Sequence, residues 1–440
     1  MLPLLTRNPN PDARNPMQVQ MYNPALHRLA LLTTAATFPL IFMGGLVTSH
    51  GAGMSVPDWP NSYGYNMFTF PPSKWVGGIF YEHTHRLMGA VVGMLSIALT
   101  VCAWKVEPRR WVRWLAAGVL GAVIVQGVLG GLRVVMVELD LAIVHACLAQ
   151  AFFCLAALTT ITTSRWWIEA PEQVPHWVEA DAMHRLFTLS AIAVGLIYLQ
   201  LIIGAVMRHY EAGLAIPDFP LSYGHVLPPA TPEHLADANR QRAFEMQLPP
   251  VTQGQVWLHF AHRLGAIAVS IAVIAGVTIA LRQRRRTRWE PIVGAFLAAV
   301  AGLLGLGAAY AVGSTRGWLA GIPVFSTSVV AVFVLRAFLR RMRDARPILA
   351  PAVLAAALLL IQLTLGILTV VLRKPADIAS AHVAMGALAL VTTFTLTVRA
   401  ARTSALATAS CKAAGSAGDT SDHNSTSTAH PSEREPVLAA

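Results

Sequence analysis

Apolar stretches of about 20 residues recur along the chain, and no other feature restricts its fold as strongly. About 20 apolar residues span a bilayer as a helix, and a backbone inside lipid must satisfy its own hydrogen bonds. The stretches are continuous, which excludes the alternating pattern of a β-barrel. Only 12% of the residues are charged, whereas a soluble domain has about 25%. We therefore predict an all-α fold, a polytopic membrane helical bundle.

The apolar stretches predict about ten transmembrane helices. They cover residues 29–48, 85–104, 114–132, 141–163, 186–207, 260–281, 291–312, 318–339, 349–372 and 378–398. The first stretch lacks a small-residue cleavage site, so we expect an anchored helix and not a removed signal peptide. Residues 1–24 and 401–440 show no apolar periodicity, and we expect both ends to be disordered.

The basic residues predict the orientation of the bundle. The chain has 33 Lys and Arg residues against 22 Asp and Glu, a net charge of +11. The basic residues form short clusters between the apolar stretches, such as those at 282–288 and 340–343, and the clusters fall on one side of the predicted bundle. This side is the cytoplasm under the positive-inside rule, so both termini are predicted to be cytoplasmic. The charge therefore indicates topology and not a nucleic-acid partner.

Two loop sequences repeat at an offset of 160 residues. Residues 53–64 read GMSVPDWPNSYG and residues 213–224 read GLAIPDFPLSYG, with seven of the twelve positions identical. Each copy has an aspartate between a proline and an aromatic residue. Because Pro and Asp favour turns, we interpret Asp58 and Asp218 as residues that shape the loops and not as ligands.

The helices that follow these loops repeat as well. The tripeptide HRL at 85–87 matches HRL at 262–264, and His145 in the fourth span corresponds to His382 in the tenth. Repeats that lie four spans apart have parallel orientation. We therefore predict two tandem four-helix halves, residues 25–165 and 166–400. The second half would contain an inserted helical hairpin at 289–341.

The four repeated histidines suggest a cofactor. His85, His145, His262 and His382 each lie within the first five residues of an even-numbered span, which places them at a similar depth, at most roughly 7–8 Å from the start of the span. Helix packing in a four-helix unit can bring two of them together across the core. A haem iron needs two axial ligands on opposite faces, and neutral imidazole is a suitable ligand. The alternative is hydrogen bonding between helices. Four equivalent positions favour haem, and neither half offers a tetrahedral set for zinc.

Glu82 distinguishes the two halves. It stands three residues before His85, whereas His259 stands three residues before His262. A carboxylate at the membrane boundary is either a helix cap or a group that handles a proton or stabilises positive charge. In the second interpretation the first half carries the chemistry, and the second half holds a permanent cofactor.

The arginines beside the repeated histidines have two possible partners. Arg86 and Arg263 could pair with haem propionates through charge-assisted hydrogen bonds, or equally with lipid phosphates. The other histidines considered have no repeat partner of their own type and are left out of the core site. They are His50, His83, His209, His225 and His259.

Taken together, these residues resemble the haem A synthase family, membrane enzymes with two tandem four-helix halves and paired histidines in each. The resemblance covers residues 25–285 and 347–400. It is carried by the sequence EHTHR at 82–86, HFAHR at 259–263, His145 and His382, with support from the repeated loops.

The resemblance implies oxidation of the C8 methyl group of haem O to a formyl group, which gives haem A for cytochrome oxidase. His262 and His382 would ligate a bound haem B, His85 and His145 would flank the substrate haem, and Glu82 would be the catalytic carboxylate. Such a protein would lie in the bacterial inner membrane, with haem O synthase and cytochrome oxidase assembly factors as partners.

Two other functions stay open on the residues alone. One is a b-type cytochrome with two haems that exchanges electrons with quinone, and the other is a haem carrier in oxidase assembly. The chain also departs from the family in two respects. Members usually have eight helices, and many bacterial members carry cysteine pairs in the outer loops, whereas residues 49–81 and 208–257 contain no cysteine.

Overall fold

The computed structural model describes residues 22–173, 179–282 and 346–422. The α-helices in this part of the chain are α1 Pro24–Ser49, α2 Gly78–Val106, α3 Arg110–Met136, α4 Leu139–Thr162, α5 Arg165–Gln173, α6 Ala180–His209, α7 Pro232–Gln241, α8 Gln253–Arg282, α9 Arg346–Val371 and α10 Ala376–Asp422. All except the short α5 and α7 are long and apolar enough to cross a membrane, which gives eight candidate spans. The predicted fold class, a polytopic helical membrane bundle, is confirmed.

The first half of the bundle consists of α1 to α4. Consecutive helices pack on each other, and α1 also packs on α4, which closes a four-helix ring. Helix α1 begins where the Asn23 side chain accepts hydrogen bonds from the amides of Ala25 and Leu26, both at 3.0 Å, as is typical of an N-cap. The core of this ring contains Leu26, Ala30, Val92, Leu99, Ala103, Ala116, Val119 and Phe152.

The second half repeats this arrangement with α6, α8, α9 and α10. Consecutive helices pack together and α10 returns to α6, closing a second ring. Large apolar side chains also cover the outside of the bundle. Ile124 and Ile271, for example, are 57% and 65% exposed, which fits a surface that lies in hydrocarbon.

The seam between the halves is formed by the first and fourth helix of each ring. We use "loop side" for the side of the bundle that carries the two repeated loops. Near this side, the Ser49 Oγ of α1 lies 2.7 Å from the Ser380 Oγ of α10. Arg208 of α6 donates to the same Ser49 Oγ at 2.7 Å. A Cβ placed on Gly45 would lie 3.2 Å from Ser380, so small residues allow the close approach of the helices.

The end of the chain differs from its prediction. Residues 401–440 were expected to be disordered, but α10 continues to Asp422, so the prediction is wrong for 401–422. Alanine has the highest helix propensity, and Ala401 and Ala407 are buried. Ser404 Oγ donates to the carbonyl of Ala180 at 3.3 Å, which ties this extension to the start of α6.

Several other predicted segments lie outside the described residues. They are the inserted hairpin at 289–341, the first 21 residues and residues 423–440. Where spans are described, they are longer than predicted. The sixth span, predicted at 260–281, is the helix Gln253–Arg282. The four repeated histidines consequently lie in the second or third turn of their helices.

Candidate functional site

The four repeated histidines form two facing pairs, one inside each half. His85 on α2 faces His145 on α4, with ring centroids 6.5 Å apart and ring planes at 78°. His262 on α8 faces His382 on α10, with centroids 6.4 Å apart at 67°. In each ring the two histidines come from helices that are diagonally opposite. The two halves therefore place an imidazole pair at the same point of the fold.

Each of these imidazoles lies against a glycine on the preceding helix of its ring. A Cβ added to the glycine would come within about 3 Å of the Cε1 atom of the imidazole, tighter than ordinary van der Waals contact. The four contacts are Gly44 with His85 at 3.1 Å, Gly130 with His145 at 3.2 Å, Gly204 with His262 at 3.3 Å and Gly366 with His382 at 3.0 Å. These glycines determine how far each ring can lie from the centre of its half.

One helical turn before three of these glycines stands a glutamine. The three are Gln126, Gln200 and Gln362, and the fourth position holds Leu40. Gln200 Nε2 donates to the carbonyl of His262 at 2.7 Å and lies 3.0 Å from His262 Nδ1. Gln126 Nε2 donates to the carbonyl of His145 at 3.2 Å. Gln200 thus fixes the backbone of His262, whereas Leu40, at the equivalent position, offers His85 no hydrogen bond.

The two pairs fit an iron atom held between imidazoles. Imidazole nitrogens bind divalent metals at about 2 Å, so two rings on opposite sides of one metal have centroids about 6 Å apart. The Nδ1 atoms of His85, His145 and His382 are buried and make no hydrogen bond with a described residue. Within the described residues no group of three or more His, Cys, Asp or Glu could hold a metal. Two protein ligands leave the remaining positions to a macrocycle such as haem.

The repeated loops are shaped by their aspartates, as predicted. Asp58 accepts hydrogen bonds from the amides of Tyr63 at 2.7 Å and Gly64 at 2.8 Å. In the second loop Asp218 accepts from Tyr223 at 2.8 Å and from Gly224 at 2.9 Å. Partial burial alone would raise the pKa of Asp58, but hydrogen bonds from backbone amides, together with the charge of Arg86, lower this pKa below its usual value.

The arginines beside the histidines bind the loops. Arg86 donates to the carbonyls of Val56 and Asp58, both at 2.6 Å, and of Asn61 at 3.0 Å. Arg263 binds the equivalent carbonyls of its own loop, those of Ile216 at 3.1 Å, Asp218 at 2.6 Å and Leu221 at 2.8 Å. These bonds occupy the guanidiniums. A contact of Arg86 and Arg263 with propionates stays a prediction.

Glu82 is buried, 3% exposed, and both of its carboxylate oxygens have partners. Oε2 accepts a hydrogen bond from the amide of Val56 at 2.8 Å, and Oε1 forms an ion pair with Arg86 at 2.8 Å. In the second half His259 stands at this position, and its Nδ1 accepts from the amide of Ile216 at 3.2 Å. The two halves thus hold equivalent loop amides with a carboxylate in one case and an imidazole in the other.

The loop of the first half also reaches the helix that contacts His145. A Cβ on Gly131 would overlap the Trp59 ring, so the indole lies against α3 beside Gly130. On the neighbouring face of α2, Ser62 Oγ lies 3.1 Å from the Nδ1 of the fully buried His83. The first loop is therefore packed over the His85–His145 pair.

Comparison with known proteins places this geometry in a family. Residues 27–322, more than half of the chain, match the COX15-CtaA family, described as "Cytochrome oxidase assembly protein". The chain belongs to this family. The match includes Glu82, His85, His145 and His262, whereas His382 lies beyond its end, so the place of His382 rests on the repeat and on its distance from His262.

Three curated relatives of this COX15-CtaA protein carry the same name. It is 27% identical to "Heme A synthase" of Symbiobacterium thermophilum over 274 residues, 61% of this chain and 78% of that protein. It is 29% identical to "Heme A synthase" of Shouchella clausii over 206 residues, 46% of this chain and 65% of that protein. With "Heme A synthase" of Bacillus cereus (strain 03BB102) the identity is 24% over 283 residues, 63% and 81% of the two chains.

The structure gives a place in the site of this COX15-CtaA protein to residues for which the sequence interpretation had no role there. Gly44 and Gly204 occur at the same 160-residue offset as the loops, which would have been the signal for their contacts with the histidines. The repeat of Gln126 and Gly130 at Gln362 and Gly366 is visible in the sequence, but a role follows only from their distances to the imidazoles.

Proposed function

We propose that this protein is a haem A synthase, an integral membrane oxidoreductase that converts a methyl group of haem O to the formyl group of haem A for cytochrome oxidase. The observation that carries the proposal is the pair of facing imidazoles in each half, at a separation that suits a haem iron. Membership of the COX15-CtaA family and the names of the relatives support it.

The two pairs have different roles in this proposal. His262 and His382 would be the axial ligands of a resident haem B, and His85 and His145 would flank the substrate haem O. Gln200 holds the backbone beside this ligand, because its Nε2 donates to the carbonyl of His262 at 2.7 Å, which suits a permanently held ligand. The equivalent position in the first half is Leu40, which leaves His85 without this restraint and suits a site that must release a product.

A bound haem supplies one-electron redox chemistry, and the residues of the chain determine where a substrate lies. The imidazoles set the position of the macrocycle, and Gly44 and Gly130 set the position of the imidazoles. Trp59 and the loop around it close the loop side of the first pair. A site covered by packed side chains has a lower effective dielectric constant than bulk water, which strengthens the electrostatic interactions inside it.

Glu82 is our proposed catalytic carboxylate. It stands one helical turn from His85 and carries a negative charge where the second half has an imidazole. A carboxylate beside the reacting carbon can stabilise positive charge that develops during oxidation of the methyl group, or accept its proton. The hydrogen bond from Val56 and the ion pair with Arg86 hold the carboxylate in position.

For the location of the protein we propose the bacterial inner membrane, with both termini in the cytoplasm and the loop side facing outward. The asymmetry of the basic clusters supports this orientation. Haem O synthase and assembly factors of cytochrome oxidase remain the partners that the family suggests.

The experiment is extraction and chromatography of non-covalent haem from the purified protein, expressed in cells that supply haem O. We expect haem B together with haem O, a hydroxylated form of it, or haem A. The variant His85→Ala should lose the haem O-derived species and keep haem B, and His262→Ala should lose haem B. His184→Ala, an exposed histidine at the start of α6, is the control. Haem B alone in the parent protein contradicts the synthase, and absence of any haem contradicts the pairing of the histidines.

A further inference from the structure

Each half has one cationic side chain that lies against the first glycine of its repeated loop. In the first half a Cβ on Gly53 would overlap the guanidinium of Arg133. In the second half a Cβ on Gly213 would lie 3.6 Å from the Cδ of Lys374. Gly53 and Gly213 are equivalent positions, yet Arg133 and Lys374 are not equivalent in sequence. The residue of the second half that is equivalent to Arg133 in the sequence repeat is Thr369. The two cations therefore share a position in the fold but not in the repeat.

Arg133 lies on the loop side of the first histidine pair. It follows Gly130, the glycine in contact with His145, by three residues, which is about one helical turn. Its charge is within electrostatic range of His85, His145 and Glu82. Within the described residues the guanidinium makes one hydrogen bond, from Nη2 to the carbonyl of Gly53 at 2.9 Å. An arginine has five N–H donors, so most of them are available to a ligand.

Lys374 occupies the corresponding place on the loop side of the second pair. It follows the end of α9, where its amide donates to the carbonyl of Thr369 at 2.7 Å. Arg373 and Lys374 both have positive φ, +57° and +65°, which is uncommon for residues other than glycine. The ammonium of Lys374 is half-buried and makes no hydrogen bond with a described residue.

The electrostatic surroundings of Lys374 favour an added anion. Burial and then the nearby Arg208 lower the pKa of its ammonium, and Glu211 offsets this only in part. A carboxylate in contact with the ammonium would oppose both effects.

In contrast to Arg133 and Lys374, Arg86 and Arg263 already donate three or more hydrogen bonds each to loop carbonyls and to Glu82.

From these contacts we propose that Arg133 and Lys374 bind the carboxylates of the tetrapyrroles held by the two histidine pairs, Arg133 in the first half and Lys374 in the second. The inference rests on the proposed function. It assigns the propionate-binding role to these two cations and leaves Arg86 and Arg263 as residues that fasten the loops. Charge-assisted hydrogen bonds to a carboxylate are among the stronger polar contacts in proteins.

The first half is tested with haem O and its dimethyl ester, which lacks both carboxylate charges. Each compound is titrated into the full-length purified protein, and binding is followed by the absorption of the haem. We expect the parent protein to bind haem O more tightly than the ester. Arg133→Gln should weaken haem O roughly tenfold and leave the ester unchanged, and Arg133→Lys should retain most of the preference. Arg113→Gln, at the opposite end of α3 with its guanidinium 5.8 Å from the Trp104 ring centroid, is the control.

The second half is tested by the rate at which the protein, as purified, loses haem B to an excess of a haem-binding acceptor protein. Lys374→Gln should lose haem B roughly tenfold faster, whereas the variant of the neighbouring, exposed residue, Arg373→Gln, should match the parent.

Equal loss of affinity for haem O and its ester in Arg133→Gln overturns the assignment for the first half. Equal rates of haem B loss in Lys374→Gln and the parent overturn the assignment for the second half. If the parent protein binds both haem O and the ester without preference, only this inference fails. If it binds neither, the proposed function fails with it.

Discussion

Glu82 and His259 hold equivalent backbone amides in the two halves of the molecule. The Glu82 carboxylate accepts from Val56 at 2.8 Å, and the His259 imidazole accepts from Ile216 at 3.2 Å. Both side chains thereby tie a repeated loop to the helix that carries a paired histidine. Because an imidazole makes the same contact with the loop in the second half, this contact does not require the negative charge of Glu82. We therefore attribute the charge to catalysis.

Replacement of Glu82 separates its charge from its structural task. Glu82→His copies the second half and Glu82→Gln keeps an acceptor for the Val56 amide, so we expect both variants to fold and to retain haem. Conversion of haem O should fall by at least about 100-fold, the usual contribution of a group that transfers a proton or stabilises charge. The measurement is haem A formed per bound haem O. Normal conversion by Glu82→Gln would exclude a catalytic role for its charge.

The glycines that contact the histidines should not tolerate a methyl group. Gly130→Ala places a Cβ 3.2 Å from His145 Cε1, and the displaced ring should cost about 1–3 kcal/mol, roughly fivefold to 150-fold in affinity for the haem of the first half. Gly127→Ala on the same helix is the control, since nothing lies within 4 Å of its added Cβ. Haem content determined by chromatography gives the result, and equal losses in both variants would contradict the contact.

The loop at 53–64 should loosen in acid. Its amide hydrogen bonds hold the pKa of Asp58 below the usual value, so their stabilising effect is complete above the unfolded pKa of about 4 and is lost as the pH falls through the lower folded pKa. Hydrogen exchange of the Tyr63 and Gly64 amides should report a more open loop in that range. Asp58→Asn should remove this pH dependence, whereas Asp218→Asn, in the other loop, should preserve it at 53–64.

The orientation of the bundle can be tested with two cysteines. Phe244 on the loop side is 85% exposed, and the native Cys411, near the end of α10, is exposed beyond the other side. In intact cells a membrane-impermeant thiol reagent should label Phe244→Cys, and Cys411 should react only after permeabilisation. The reverse pattern would contradict the positive-inside assignment.

Sequence alone was sufficient for the residues that repeat. The offset between the loops and the matching HRL tripeptides led to both histidine pairs, and the Pro and Asp pattern led to the role of Asp58 and Asp218. A search for repeated residues could not find Arg133 and Lys374, because the two do not occupy equivalent positions in the sequence repeat. The assignment of Arg86 and Arg263 to propionates took no account of loop carbonyls, whose positions depend on the tertiary fold.

Helix α10 shows a different limit. Ala, Ser and Thr after residue 400 suit a disordered tail by composition, yet alanine also favours helix, and packing against the start of α6 decides the outcome. Hydropathy gave the eight described spans because their apolar surface must face lipid. It could not give their ends, since α8 begins with polar residues on the loop side.

The position of His382 on α10, the last of the described helices, has a consequence for the order in which this protein matures. His85 and His145 can meet once helices α1 to α4 have left the ribosome, but His382, the partner of His262, arrives only when α10 has been made. Because α10 also packs on α1 and α4, the seam closes at the same late stage. A nascent chain arrested before α10 would therefore contain the first histidine pair, without the second pair and without the seam that α10 completes.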